Sequence, residues 1–166
     1  MPANNWSRFT VRINIKASIA QIYSCWSTRA GMEAWFLRLS EYKTPLSAER
    51  AVDEPVQTGD TYKWLWHGWP DETVEHGTIL QCNGENLFAF SFGNAGNCTV
   101  KLYQEMDETI AELVQENIPD DEQGKLTWHI GCKTGWTFYL ANLKSYLEGG
   151  IDLRNKNVAL NNVLNS

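Results

Sequence analysis

Apolar and polar residues alternate through 9–16 (FTVRINIK), with β-branched side chains at three of the apolar positions. A period of two with that composition predicts a strand. The period then changes. Ser18 is placed as an N-cap, and Ile19, Ile22, Tyr23 and Trp26 follow at helical spacing. Thr28 is placed to cap a second short helix, through Gly31 to Trp35. Strand signal returns at 37–43, 61–67, 74–82, 86–92, 98–106 and 109–117, with Pro45 and Pro55 breaking the long interval. Asn83-Gly84, residues 93–97 and Asp107-Glu108 are short turns, which argue for an antiparallel meander.

Residues 119–124 stop the last strand, and 125–148 read as one helix about 36 Å long at ~1.5 Å per residue. Trp128, Cys132, Gly135, Trp136, Tyr139, Leu140, Leu143 and Leu147 form one wide apolar stripe on it. Gly131 and Gly135 are poor helix formers, so they predict a close approach to the sheet or to whatever sits beneath the helix. Gly149-Gly150 supplies the C-terminal stop. The Asn-rich segment 151–166 is expected either to form a short extra helix or to stay loose.

The order is strand, two short helices, about six more strands and one long helix. That predicts an α+β fold: a curved antiparallel sheet of six to seven strands whose apolar face is covered by the long helix. At 166 residues, the chain is expected to be one domain over 1–166, with a core over 8–154 and a tail at 155–166. Apolar residues make up 43% and charged residues 20%, which excludes disorder, collagen and coiled coil as overall descriptions. No apolar run approaches the ~18 residues of a membrane span. Residues 1–8 show no basic stretch followed by an apolar one, so no signal peptide is expected and the cytoplasm is the expected location.

The net charge of −6 is unevenly spread. Glu105, Asp107, Glu108, Glu112, Glu116, Asp120, Asp121 and Glu122 lie together with no Lys or Arg among them. Nucleic-acid binding needs a concentrated positive footprint, and none exists. The acidic stretch reads as a solvated hairpin and loop, or as a docking site for a basic partner. Cys25, Cys82, Cys98 and Cys132 lack metal-ligand spacing and read as reduced, mostly buried small hydrophobes.

The run INIKASIAQIYSCWSTRAGMEAWF (13–36) resembles the opening of the SRPBCC, or START-like, superfamily. More closely it resembles the branch homologous to the ATPase activator of the 90-kDa heat-shock chaperone. Gly59-Asp60-Thr61-Tyr62-Lys63-Trp64, Gly77-Thr78-Ile79-Leu80, and Gly135-Trp136 with Leu140, Leu143-Lys144 and Tyr146-Leu147-Glu148 resemble later strands and the C-terminal helix of that branch. Asn83-Gly84-Glu85-Asn86 departs from the Pro-containing turn usual there, and the tail beyond Arg154 has no counterpart. The resemblance implies a helix-grip fold, often with a hydrophobic cavity between sheet and helix. It does not imply one activity, because superfamily members bind lipids or hormones, cyclise polyketides or assist chaperones.

Candidate chemistry is sparse. His67, His76 and His129 lack ligand spacing, so neither a metal nor a cofactor is expected. His67 and His129 read as rim imidazoles or as general bases at a cavity mouth. There is no Gly-x-Ser-x-Gly and no phosphate loop. Twenty large rings, 12% of the chain, are the strongest compositional signal. Trp35, Tyr62, Trp64, Trp66, Phe88, Phe90, Leu113, Trp136, Tyr139 and Leu140 are the candidate lining of an apolar pocket, with Gln115 or His129 orienting a ligand. The same rings could instead fill the interior at ordinary packing density. The leading expectation is non-catalytic binding of a hydrophobic small molecule or lipid by a monomer or weak dimer. The alternatives are a co-chaperone-like interaction domain and a cyclase- or hydrolase-type enzyme.

Overall fold

The computed structural model describes residues 4–164. Its elements are β1 (Arg8–Asn14), α1 (Ile19–Ser27), α2 (Arg29–Trp35), β2 (Leu39–Lys43), β3 (Thr61–Leu65), β4 (Val74–Cys82), β5 (Leu87–Ser91), β6 (Asn97–Glu105), β7 (Glu108–Glu116) and α3 (Gly131–Gly149). The seven strands form one antiparallel sheet in the order β1-β7-β6-β5-β4-β3-β2. Consecutive strands from β2 to β7 are neighbours, as a meander requires. Only β1 joins out of sequence, pairing with β7 from Arg8↔Glu116 to Asn14↔Ile110. The curved sheet wraps α3, so the architecture is a helix grip.

Local chemistry explains the boundaries. The Ser18 side chain accepts from the Gln21 N–H while the Gln21 side chain accepts from the Ser18 N–H, a reciprocal capping box that starts α1. Thr28 accepts from the Gly31 N–H and starts α2. Met106 and Asp107 both have positive φ, the twist that a two-residue hairpin turn needs between β6 and β7. Gly150 ends α3 in the left-handed conformation, its N–H reaching the Ser145 and Tyr146 carbonyls. The acidic stretch is partly neutralised within the chain: Arg12 pairs with Glu105 and Glu112, Arg8 with Glu116, and Lys125 with Asp120.

Two expectations are corrected. The single helix over 125–148 is instead a π-helical segment, Gly124–Ile130, followed by α3. The wider turns carry His129 into the interior and leave Leu126 and Ile130 facing water. The tail is also neither helical nor wholly loose. Residues 151–154 are locked, and no helix follows among the described residues.

Arg154 makes the lock. Its guanidinium is buried and donates to the carbonyls of Leu37 (3.0 Å), Glu33 (3.1 Å) and Ala34 (2.9 Å), while Asp152 grips it through both carboxylate oxygens. Asn142, buried on α3, donates to the Trp35 carbonyl (2.6 Å) and accepts from the Leu153 N–H (2.7 Å). The carbonyls that end α2, which have no partner within the helix, are therefore met by one cation and one amide. This fixes the position of Phe36, the next side chain.

Candidate functional site

The interior between sheet and α3 is a cluster of rings. Trp26, Trp35, Phe36, Trp64, Phe88, Phe90 and Trp136 are all at most 3% exposed. Trp26 meets Trp35 edge-on at 4.7 Å, and Tyr62 stacks on Trp64 at 3.8 Å. The Tyr62 ring lies flat across Gly77, where a Cβ would come within 2.5 Å of it. Its hydroxyl donates to the Ser91 carbonyl at 2.5 Å. Ring pairs at these separations add to simple area burial.

The ring cluster stops short of the first turns of α3. There the sheet and helix part to leave a cleft of about 360 Å³. Phe36, Trp66, Phe92, Trp128, Trp136 and Tyr139 are its rings. Gly131 and Gly135 form its helix side, and Thr73, Val74, Glu75, Thr127 and Cys132 complete the lining. A Cβ at Gly135 would meet nothing within 4 Å, and one at Gly131 only a carbonyl at 3.8 Å. The glycines therefore do not serve a tight helix–sheet contact. They keep the helix side of the cleft clear.

Three of the expected lining residues, Trp66, Trp136 and Tyr139, stand on this cleft. Trp35, Tyr62, Trp64, Phe88, Phe90, Leu113, Gln115 and Leu140 lie in the packed interior. Gln115 is wholly buried and satisfied by the chain: its side-chain oxygen accepts from Trp136 Nε1 (2.9 Å) and its amide donates to the Ala95 carbonyl (2.8 Å). The pair fixes the Trp136 ring at the cleft edge. His129 is buried elsewhere, edge-on to Trp6 and Phe9, with Nδ1 2.8 Å from the Trp6 carbonyl. Neither His129 nor His67 lines the cleft.

Phe36, Phe92, Trp128 and Glu75 were not among the expected lining residues. Phe92 continues the alternation Phe88, Phe90 one step past the end of β5. Trp128 belongs to the helical stripe. Phe36, at the C-cap of α2, faces Trp136 at 4.9 Å and Tyr139 at 4.8 Å. Trp35, beside it, turns inward and donates to the Cys25 carbonyl instead. Glu75 pairs across the ladder with Trp64, so both side chains take the covered face of the sheet.

The site electrostatics are simple. Burial pushes the Glu75 carboxyl above its ordinary value, opposed by a hydrogen bond from its neighbour's backbone N–H. Burial also raises the Cys132 thiol, raises Cys25 to about 11 and holds Cys98 well above its ordinary value. These thiols are protonated at neutral pH and are poor nucleophiles. Among the described residues, no group of His, Cys, Asp and Glu is arranged to hold a metal ion. Nor is any described helix long and apolar enough to cross a membrane.

A ring-walled cleft between a curved sheet and its gripped helix defines a helix-grip protein of the START-like type. Residues 16–148 match the family described as Activator of Hsp90 ATPase homolog 1-like protein, and the chain belongs to that family. Similar solved structures share the fold at low identity. A crystallised protein of Staphylococcus saprophyticus is 17% identical with a TM-score of 0.67, over 89% of this chain and 96% of that one. The Aha1 dimer of Colwellia psychrerythraea is 18% identical with a TM-score of 0.66, over 86% and 97% of the two chains. CalU16 of Micromonospora echinospora is 18% identical with a TM-score of 0.60, over 88% and 77%. No curated protein matches the sequence.

Proposed function

We propose that the chain, acting as one domain with its core over 8–154, binds a ring-bearing apolar small molecule without transforming it. The ligand site is the cleft between the 66–75 region and the start of α3. The observation that carries this reading is the pair Gly131 and Gly135. A helix that merely covers a sheet gains from a side chain at each inward position, whereas glycine costs roughly 1 kcal/mol relative to alanine. Here half-buried Gly135, with Gly131 exposed beside it, leaves open a cleft of ligand size, about 360 Å³, whose walls are aromatic.

The energetics are adequate. A ligand that buried about 300 Å² of apolar surface would gain roughly 7 kcal/mol before association costs, at ~25 cal/mol per Å². The absence of an ionised thiol or a histidine in the lining supports binding over turnover. The test is a thermal shift with naphthylmethanol. A ligand selective for the folded state raises stability by RT ln(1 + [L]/Kd). The wild-type melting temperature should rise with dose, and that of Gly135→Leu, whose side chain fills the cleft, should not. An equal rise in both, or none in either, overturns the proposal.

A further inference from the structure

We propose that the cleft selects an organic cation: an apolar, ring-bearing molecule carrying a quaternary or protonated amine, with the Glu75 carboxylate as its counter-ion. This rests on the binding reading above and adds the charge of the ligand.

Glu75 is the only carboxylate in the lining, and no Lys, Arg or His accompanies it there. It stands on the covered face of β4, directly across from Trp64 and two residues from Gly77, in a row otherwise given over to rings and small residues. Its position is fixed by the turn after β5. A Cβ at Gly93 would lie 2.6 Å from Oε1, so the glycine lets the carboxylate sit against the backbone there. None of the ion pairs found among the described residues includes Glu75. A half-buried carboxylate without a cation is unfavourable for the fold alone. A Gln or Leu at the same point would cost less.

The rest of the lining fits a cation. Trp66, Phe92, Trp128, Trp136 and Tyr139 surround the carboxylate's cleft. Ring faces carry negative charge density and attract an ammonium or quaternary nitrogen. Aromatic faces around one carboxylate are suited to a cation with an apolar body. An anionic amphiphile would meet like charge, and a neutral one would leave Glu75 uncompensated.

The charge dependence has a definite sign. The titratable groups that share the site with Glu75 are Tyr62 from β3 and Cys132 and Tyr139 from α3, and burial holds Tyr62 and Cys132 neutral between about pH 4 and 8. The His76 ring is on the opposite, exposed face of β4, and the Gly93 turn contributes no titratable group. Glu75 is therefore the carboxyl whose charge changes in the site over that range. Cation binding should weaken as pH falls through its titration, and binding of a neutral molecule should not.

Calorimetric titration with three matched probes tests this: naphthylmethyl-trimethylammonium, naphthylmethanol and naphthylacetate. The ammonium should bind at least about tenfold more tightly than the alcohol, and the acetate most weakly, by the energies of a cation–π contact and one partly desolvated ion pair. Glu75→Gln should bring the ammonium-to-alcohol ratio close to one. In the unmodified protein, the ammonium should lose affinity as pH falls below the Glu75 titration while the alcohol stays level. If the alcohol or the acetate equals the ammonium, or if the preference survives Glu75→Gln, the charge proposal fails and the binding reading stands. If none of the three binds, both fail.

Discussion

Replacing Arg154 by Met removes a buried cation while keeping most of its stem. Three backbone carbonyls, of Glu33, Ala34 and Leu37, then lose their donors at the end of α2. Asp152 loses its main partner but keeps Lys156 at 2.8 Å and the N–H of residue 154 at 3.1 Å. Breaking a buried ion pair costs roughly 3–5 kcal/mol when the remaining charge is stranded. Asp152 is partly exposed and not stranded, so the lower end applies, about 3 kcal/mol. For a chain of this length, ~1 kcal/mol corresponds to roughly 2–4 °C, so the melting temperature should fall by roughly 6–12 °C. Differential scanning calorimetry at neutral pH measures it. A fall below about 2 °C would refute the view that residues 151–154 are part of the structural core.

The other consequences are briefer. Gln115→Leu removes the donor to the buried Ala95 carbonyl and the oxygen that accepts from Trp136 Nε1. It should cost about 1–3 kcal/mol in urea unfolding, and an unchanged midpoint would deny the pair its role. At Asp152, burial favours the neutral acid, but hydrogen bonds from Arg154 and Lys156 outweigh it and hold the carboxyl well below the usual carboxylate range. That contribution to stability is complete above the unfolded value near pH ~4 and drains away as pH falls towards the folded one. Asp152→Asn should therefore flatten the acid limb of stability against pH, and a limb of unchanged slope would contradict the assignment. Gly135→Ala, on an open helix face, should stabilise the ligand-free protein by roughly 0.5–1 kcal/mol in thermal unfolding, whereas a loss would mean that the helix is tight against the sheet there.

What could be read from the sequence follows from the range of each interaction. The Ser18 cap of α1 and the hairpin turn near residue 107 depend on neighbours within three residues, so both were legible locally, although the turn falls at Met106-Asp107, one residue before the expected Asp107-Glu108. β4 was legible at 74–82 because the Asn83-Gly84 turn ends it, although its residues do not alternate cleanly. The π-helical turns were not legible, because Leu126, Trp128 and His129 also suit an ordinary helix. Nor was the Arg154 lock, whose acceptors lie 117 to 121 residues away. The site was half legible. A ring cluster between sheet and helix was foreseeable from Trp64, Phe90 and Trp136. The point where packing ends was not, since it depends on Phe36 and not Trp35 turning towards α3, and on which glycines face open space. Glu75 becomes conspicuous only when the β3–β4 register sets it opposite Trp64.

The central claim is that the opening beside Gly131 and Gly135 is a ligand site. Backbone amide spectra of ¹⁵N-labelled protein, recorded while naphthylmethanol is added, address it most directly. The account predicts progressive, saturable shifts at Gly131, Cys132, Gly135, Glu75 and the Trp66, Trp128 and Trp136 indoles, with β1 and β7 unmoved. Shifts centred instead on a second hollow, which Trp6, His129, Lys133 and Thr137 line, or none at all, would contradict it.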